Sequence, residues 1–155
     1  MTGTTPEGMK FDGVTSYLSW DHDRLDAILA EVCRRVEAGQ LGEAEAGYRE
    51  FLTGLRRHIR LEEELVFPLF EAKTGVTGGP TAVMRAEHLE IERALGMMQD
   101  GLSQKDANGF REGLQFLRSV LPDHNAKEEH VLYPTTDRVL SAEERSAFVE
   151  RLVGE

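Results

Sequence analysis

His58-Ile59-Arg60-Leu61-Glu62-Glu63-Glu64-Leu65-Val66-Phe67-Pro68 and His124-Asn125-Ala126-Lys127-Glu128-Glu129-His130-Val131-Leu132-Tyr133-Pro134 are two copies of one pattern, 66 residues apart (124 − 58). Each copy places a Glu four residues after a His, follows it with a second acid, and closes on an aromatic–proline pair. Upstream, the same offset matches Asp21-His22 with Glu87-His88 and Asp26 with Glu92. Four of the five histidines therefore fall into the pairs His22/His58 and His88/His124, each spaced by 36 residues (58 − 22 and 124 − 88). A repeat that copies metal-ligand residue types copies a site. The pattern predicts two α-hairpins, each made of one single-His helix and one HxxxE helix.

The periodicity around the histidines is helical throughout. Leu18, His22, Leu25, Leu29, Val32 and Val36 recur at intervals of three and four and stop at Gly39 and Gly42, which predicts a helix over about 14–38. Phe51, Leu55, His58, Glu62, Leu65 and Leu69 trace the inward stripe of a second helix, about 43–73, ending in Thr74-Gly75-Val76-Thr77-Gly78-Gly79, whose glycines can take positive φ. Pro80 opens a third helix at a position where its missing N–H costs nothing, with Met84, His88, Ile91, Leu95, Met98 and Leu102 facing inward. After Ser103–Gly109, Phe110, Leu114, Leu117, Leu121, His124, Glu128 and Val131 mark a fourth. Pro122 in its interior predicts a kink or bulge beside His124. Ser141-Ala142-Glu143-Glu144 is a capping box that starts a short fifth helix carrying Phe148, Val149 and Leu152. The expected fold is all-α: an antiparallel up-down four-helix bundle with internal duplication of α-hairpins, plus a short C-terminal helix, over residues 14–155, preceded by a polar arm at 1–13. Tyr17 and Trp20, off the His22 line, are expected to pack under that arm or at an interface.

A chain of 155 residues buries enough apolar surface to fold without a structural metal, so a metal here is expected to be functional. The net charge of −10 argues against nucleic acid and anionic membranes, whose recognition needs clustered Lys and Arg. The opening residues have no apolar core of a secretory signal, and Leu65-Val66-Phe67-Pro68-Leu69-Phe70 is too short to cross a bilayer, so a cytoplasmic location is expected. Cys33 is the single cysteine, on an apolar stripe, and reads as a small core residue.

His22, His58, His88 and His124 all lie on inward stripes. Glu62 and Glu128, four residues after their histidines, fall about 40° off the same line at 100° per residue, so both side chains of each HxxxE reach one space. Glu63 and Glu129 point about 140° away and are assigned to solvent or to supporting the ligands. Imidazole with carboxylate suits iron, manganese or zinc. Two carboxylates between two His pairs can bridge two ions, giving each ion two nitrogens, two oxygens, a solvent-derived oxo or hydroxo bridge and one open position. Four buried imidazoles and two buried carboxylates without metal would be costly. His130, off the stripe and without a repeat mate, is expected at the surface or in support of the ligands.

His22, the stretch from His58 to Glu62, Glu87-His88 and the stretch from His124 to Glu128, with the trailing Val66-Phe67-Pro68 and Leu132-Tyr133-Pro134, resemble the hemerythrin-like HHE cation-binding family over about residues 14–136. The resemblance implies a four-helix bundle around an oxo-bridged di-iron centre, with His22, His58, Glu62, His88, His124 and Glu128 as ligands. Two ions of iron are thereby favoured over manganese or zinc. Oxygen-carrying hemerythrins differ in having a further His one turn after the third-helix His and an Asp five residues after the last His, where this chain has Glu92 and Glu128. Glu92 is therefore a candidate seventh ligand. Asp26, its repeat mate, is a candidate for the same role on the first helix or for a hydrogen bond to a ligand N–H. The remaining set of four His and two Glu is similar to bacterial hemerythrin-like proteins associated with nitric oxide, peroxide and iron handling.

Three functions are compatible with these residues. The first is reversible binding or sensing of a small diatomic gas, with NO preferred over O₂, where a signal would need a protein partner. The second is a di-iron enzyme that disproportionates peroxide or reduces NO or O₂. The third is iron donation for cluster repair.

Overall fold

In a computed structural model of the chain, residues 6 and 8–155 are described. Most of the expected 1–13 arm, residues 1–5 and 7, lies outside the described residues. The protein is an all-α bundle of five helical rods with no strand among the described residues. The first rod is α1 (Val14–Glu37), and the second joins α2 (Leu41–Leu61), a π-helical turn (Glu62–Val66) and α3 (Phe67–Thr74). The third is α4 (Pro80–Ser103), and the fourth joins α5 (Ala107–Lys127), a second π-helical turn (Glu128–Leu132) and α6 (Tyr133–Arg138). A short α7 (Ala142–Gly154) completes the chain. No helix among the described residues is long and apolar enough to cross a membrane.

The short links at Ala38–Gln40 and Gln104–Asp106 make α1/α2 and α4/α5 antiparallel hairpins, as the duplication predicts. Within the second hairpin the helices approach closely at Gly101, where an added Cβ would lie 2.3 Å from the backbone N of Phe110. Gly75 supplies the left-handed residue (φ 75°) that ends α3. Asp137 of α6 reaches back across the bundle, accepting hydrogen bonds from the Val14 and Thr15 N–H groups (2.8 and 3.0 Å) that would otherwise be unpaired at the start of α1. The Ser141–Glu144 capping box forms in both directions (3.1 and 2.9 Å), and Val149 and Leu152 are buried as expected. Phe11 packs its ring on Tyr17 and Trp20 (centroids 5.0 and 5.5 Å).

The π turns revise the expected register. The N–H of Phe67 bonds the Glu62 carbonyl, and that of Tyr133 bonds the Glu128 carbonyl, each reaching one residue further back than in an α-helix. Pro68 and Pro134 follow at once. A proline ring in a continuous α-helix meets the carbonyl four residues back, and the widened turn removes that clash. One extra residue per turn shifts the inward stripe by one. Val66, Phe67 and Phe70 are buried where Leu65 and Leu69 were expected, and those two are only half-buried. In the other copy Leu132 and Tyr133 turn inward and Val131 is exposed. The bulge expected at Pro122 is also displaced. The backbone stays α-helical across Pro122, which lies on the outer face where the carbonyl it leaves unpaired can meet water.

Two apolar clusters fill the bundle. One gathers Leu25, Leu55, Ile91 and Leu121 with the rest of the α1, α2, α4 and α5 interior. The other gathers Leu18, Leu61, Met84 and Leu132 with the aromatic residues at the α3/α6/α7 end. Every one of the four paired histidines sits in sequence between a member of one cluster and a member of the other. The polar groups are thereby sealed between two dry layers.

Candidate metal centre

Each of the first four rods delivers its expected groups to this band. His22 comes from α1, His58 from α2, Glu62 from the first π turn, His88 from α4, His124 from α5 and Glu128 from the second π turn. All six are buried, and both carboxylates are fully so. Two constellations result: His22, His58, Glu62 and Glu128, and Glu62, His88, His124 and Glu128, each with donor atoms within 4.8 Å of one another. The two share both carboxylates, and the oxygens divide between them. Glu62 directs Oε1 to His88 Nε2 (3.1 Å) and Oε2 to His58 Nε2 (3.5 Å). Glu128 directs Oε1 to His22 Nε2 (3.3 Å) and Oε2 to His124 Nε2 (3.2 Å).

Every imidazole faces this centre with Nε2 and holds a carboxylate with Nδ1. Asp21 bonds His58 (2.9 Å), Glu129 bonds His22 (2.6 Å), Glu63 bonds His88 (2.7 Å) and Glu87 bonds His124 (2.9 Å). Such a carboxylate fixes the tautomer, keeping the proton on Nδ1 and the Nε2 lone pair inward, and raises the basicity of the nitrogen. The pattern keeps the duplication: the acid preceding the first His of a hairpin holds the second His of that hairpin, and the acid after each inner Glu holds the first His of the other hairpin. Arg24 pairs with Asp21 (2.8 Å) and Lys127 with Glu87 (2.5 Å), each bracing an orienting acid in turn.

The electrostatics are those of a site built for positive charge. Burial lowers the His58 pKa, but Glu62 and Asp21 outweigh it and carry it up to about 10. His124 is likewise raised against its burial, by Glu128, Glu62 and Glu87. Burial raises Glu62, yet His58 and the surrounding donors hold it well below the usual carboxylate range. Glu128 Oε2 is buried and makes no well-formed hydrogen bond, its one close polar neighbour being His124 Nε2 at 3.2 Å. A cation between the two carboxylates answers that deficit, so the donor set fits the metals that imidazole and carboxylate select.

The two further candidates lie elsewhere. Glu92 turns outward and pairs with Arg56 at the surface, where side-chain exposure is 46%. A residue four positions after His88 sits on the rim of the stripe, and Arg56 of α2 draws it away. Asp26 is exposed and lines a cleft of about 260 Å³ at the α1–α5 seam with Pro122 and Asn125. His130 is exposed, as its place off the stripe predicts. Glu63 and Glu129 hold the imidazoles of His88 and His22 rather than simply facing solvent.

Sequence reading missed three groups. Asp21 and Glu87 were visible as a matched pair next to the first His of each hairpin, but their target on the neighbouring helix was not. Tyr133 brings its hydroxyl into the cluster, 3.0 Å from Glu128 Oε1, with a short hydrogen bond donated to Glu62 Oε2. Its signal was the aromatic–proline pair one wide turn after Glu128.

A helical bundle enclosing four imidazoles and two shared carboxylates defines a cation-binding protein of the histidine–carboxylate class. The family model of the hemerythrin HHE cation-binding domain matches residues 14–136, and the chain belongs to that family. No curated protein and no solved structure gives a significant match.

Proposed function

We propose that the protein is a non-haem di-iron protein that binds a small diatomic ligand or oxidant, NO, O₂ or peroxide, at a centre held by His22, His58, Glu62, His88, His124 and Glu128. The observation that carries this is the division of oxygens. Each of Glu62 and Glu128 offers one oxygen to each His pair, so two ions held between them would satisfy every inward donor, including Glu128 Oε2, which makes no well-formed hydrogen bond of its own. The donors gathered here are too many for a single zinc, which takes four, and the resemblance of the ligand pattern to di-iron centres favours iron over two zincs. Bound there, iron supplies redox change and an open position for a small ligand.

The chain's own residues set the terms of that binding. The dry layers on both sides of the band exclude water and strengthen each charge interaction within it. The four orienting carboxylates push electron density toward the imidazoles, which favours the oxidised ions. With Glu92 paired to Arg56, nothing from α4 replaces the additional histidine of the oxygen carriers, which supports NO or peroxide over reversible O₂ carriage.

The test is metal content of the purified protein by mass spectrometry, with visible spectra before and after NO and peroxide. About two irons per chain with a stoichiometric, reversible change on NO supports the binder. Catalytic loss of peroxide or NO favours an enzyme, and ready loss of iron to an acceptor favours a donor. No iron, or a single zinc, refutes the proposal.

A further inference from the structure

Residues 67 and 133 are repeat mates, and the duplication places their rings alike. Phe67 lies against His88 at 5.7 Å between ring centroids, and Tyr133 against His22 at 5.8 Å. They differ by one atom. The Tyr133 oxygen projects into the His22/His58 half of the centre, whereas Phe67 presents only hydrocarbon to the His88/His124 half.

That oxygen is 3.3 Å from His22 Nε2, 3.2 Å from His58 Nε2 and 3.0 Å from Glu128 Oε1, and it hydrogen-bonds Glu62 Oε2. These four atoms are the donors of one constellation. Around an ion with bonds of about 2.1 Å, neighbouring donors at right angles lie about 3.0 Å apart, the bond length times √2. An oxygen at roughly that separation from four donors stands where the fifth ligand capping them would stand. The ring is fully buried and the adjoining π turn aims it, so the position is built and not a passing rotamer. On the other side, Glu128 Oε2 makes no well-formed hydrogen bond, and Phe67, having no hydroxyl, brings it none.

We propose that Tyr133 ligates the metal held by His22 and His58, and that metal only. The two ions are then inequivalent, one capped by a phenolate and the other, beside Phe67, keeping the open position where a small ligand binds. The phenol O–H bond breaks as the oxygen–metal bond forms, and its proton leaves to solvent. This rests on the two-iron reading above.

The experiment compares wild type, Tyr133→Phe and Phe67→Tyr, each reconstituted with iron alone and oxidised in air. Iron per chain, circular dichroism, resonance Raman scattering from iron-bound tyrosinate, and azide binding are measured. The expected result is two irons and tyrosinate vibrations in wild type, and two irons without those vibrations in Tyr133→Phe. Phe67→Tyr should gain tyrosinate intensity, about twofold if both ions are capped, and lose azide binding. Two irons in wild type without tyrosinate vibrations, or vibrations that survive in Tyr133→Phe, overturns the assignment and leaves the di-iron reading standing. Wild type that takes up no iron overturns the di-iron reading itself. If Tyr133→Phe does not fold, Phe67→Tyr decides: unchanged azide binding with two irons present refutes the open position beside Phe67.

Discussion

Replacing Asp21 with Asn separates the orienting carboxylates from the ligands they hold. The substitution keeps the volume of the side chain and one oxygen that can accept the His58 Nδ1–H, so it opens no cavity; it removes the charge and, with it, the Arg24 pair on the other oxygen. Loss of such a partner costs about 10–100-fold in metal affinity, or about 1.4–2.8 kcal/mol. Asp21 is completely buried and bonds His58 at 2.9 Å, whereas Glu129, on His22, is 33% exposed. Solvent screens the exposed charge and not the buried one. Asp21→Asn is therefore expected near the upper end of that range and Glu129→Gln near the lower. Asp21 holds His58 alone among the four imidazoles, so with two ions bound as proposed, one of two stepwise constants should weaken while the other changes little. Titration of metal-free protein with ferrous iron against a chromophoric chelator resolves the two constants. Two unchanged constants in Asp21→Asn, or a larger loss in Glu129→Gln than in Asp21→Asn, would refute the reasoning.

Glu62→Ala or Glu128→Ala should cost both metals and not one, since each carboxylate serves both constellations; full two-metal loading of either variant, measured by mass spectrometry, contradicts the bridging assignment. In the metal-free protein, His58 is raised from 6.5 to about 10, so its contribution to stability is complete below about pH 6.5 and is lost as pH rises through about 10. Glu62 is depressed from 4.5, so its contribution is complete above about pH 4.5 and is lost on acidification. Chelated protein should therefore be most stable between about pH 4.5 and 6.5 and decline on the alkaline side, a decline that metals abolish by replacing the protons; an urea midpoint that is flat from neutral to alkaline pH in chelated protein would contradict this. Gly101→Ala drives a methyl group to 2.3 Å from the Phe110 backbone N and should cost about 1–3 kcal/mol by prising α4 from α5, lowering Tm by several degrees. A thermal melt unchanged from wild type would show that the hairpin yields freely there.

The bundle and its six inward donors were legible because helix period and repeat offset are properties of the chain read locally. His22, His58, His88 and His124 could be placed on four faces with no knowledge of how those faces meet. Glu92 illustrates the boundary of that reading. Its spacing from His88 equals that of Glu62 from His58, but α4 carries no π turn after its His, and Arg56 on the neighbouring α2 engages the carboxylate at the surface. Spacing alone does not distinguish those two outcomes.

The sequence by itself determined the duplicated hairpins, the all-α class and the chemistry of the donors, because apolar periodicity and residue type follow from covalent order. Only the tertiary structure decided which carboxylate holds which imidazole and that the Tyr133 hydroxyl enters the half of the centre made by His22 and His58. Those depend on distances between rods remote in sequence, such as His22 to Glu129, 107 residues apart, and Tyr133 to His58, 75 apart. Such distances are set by how four helices pack around two widened turns, and no local pattern encodes them.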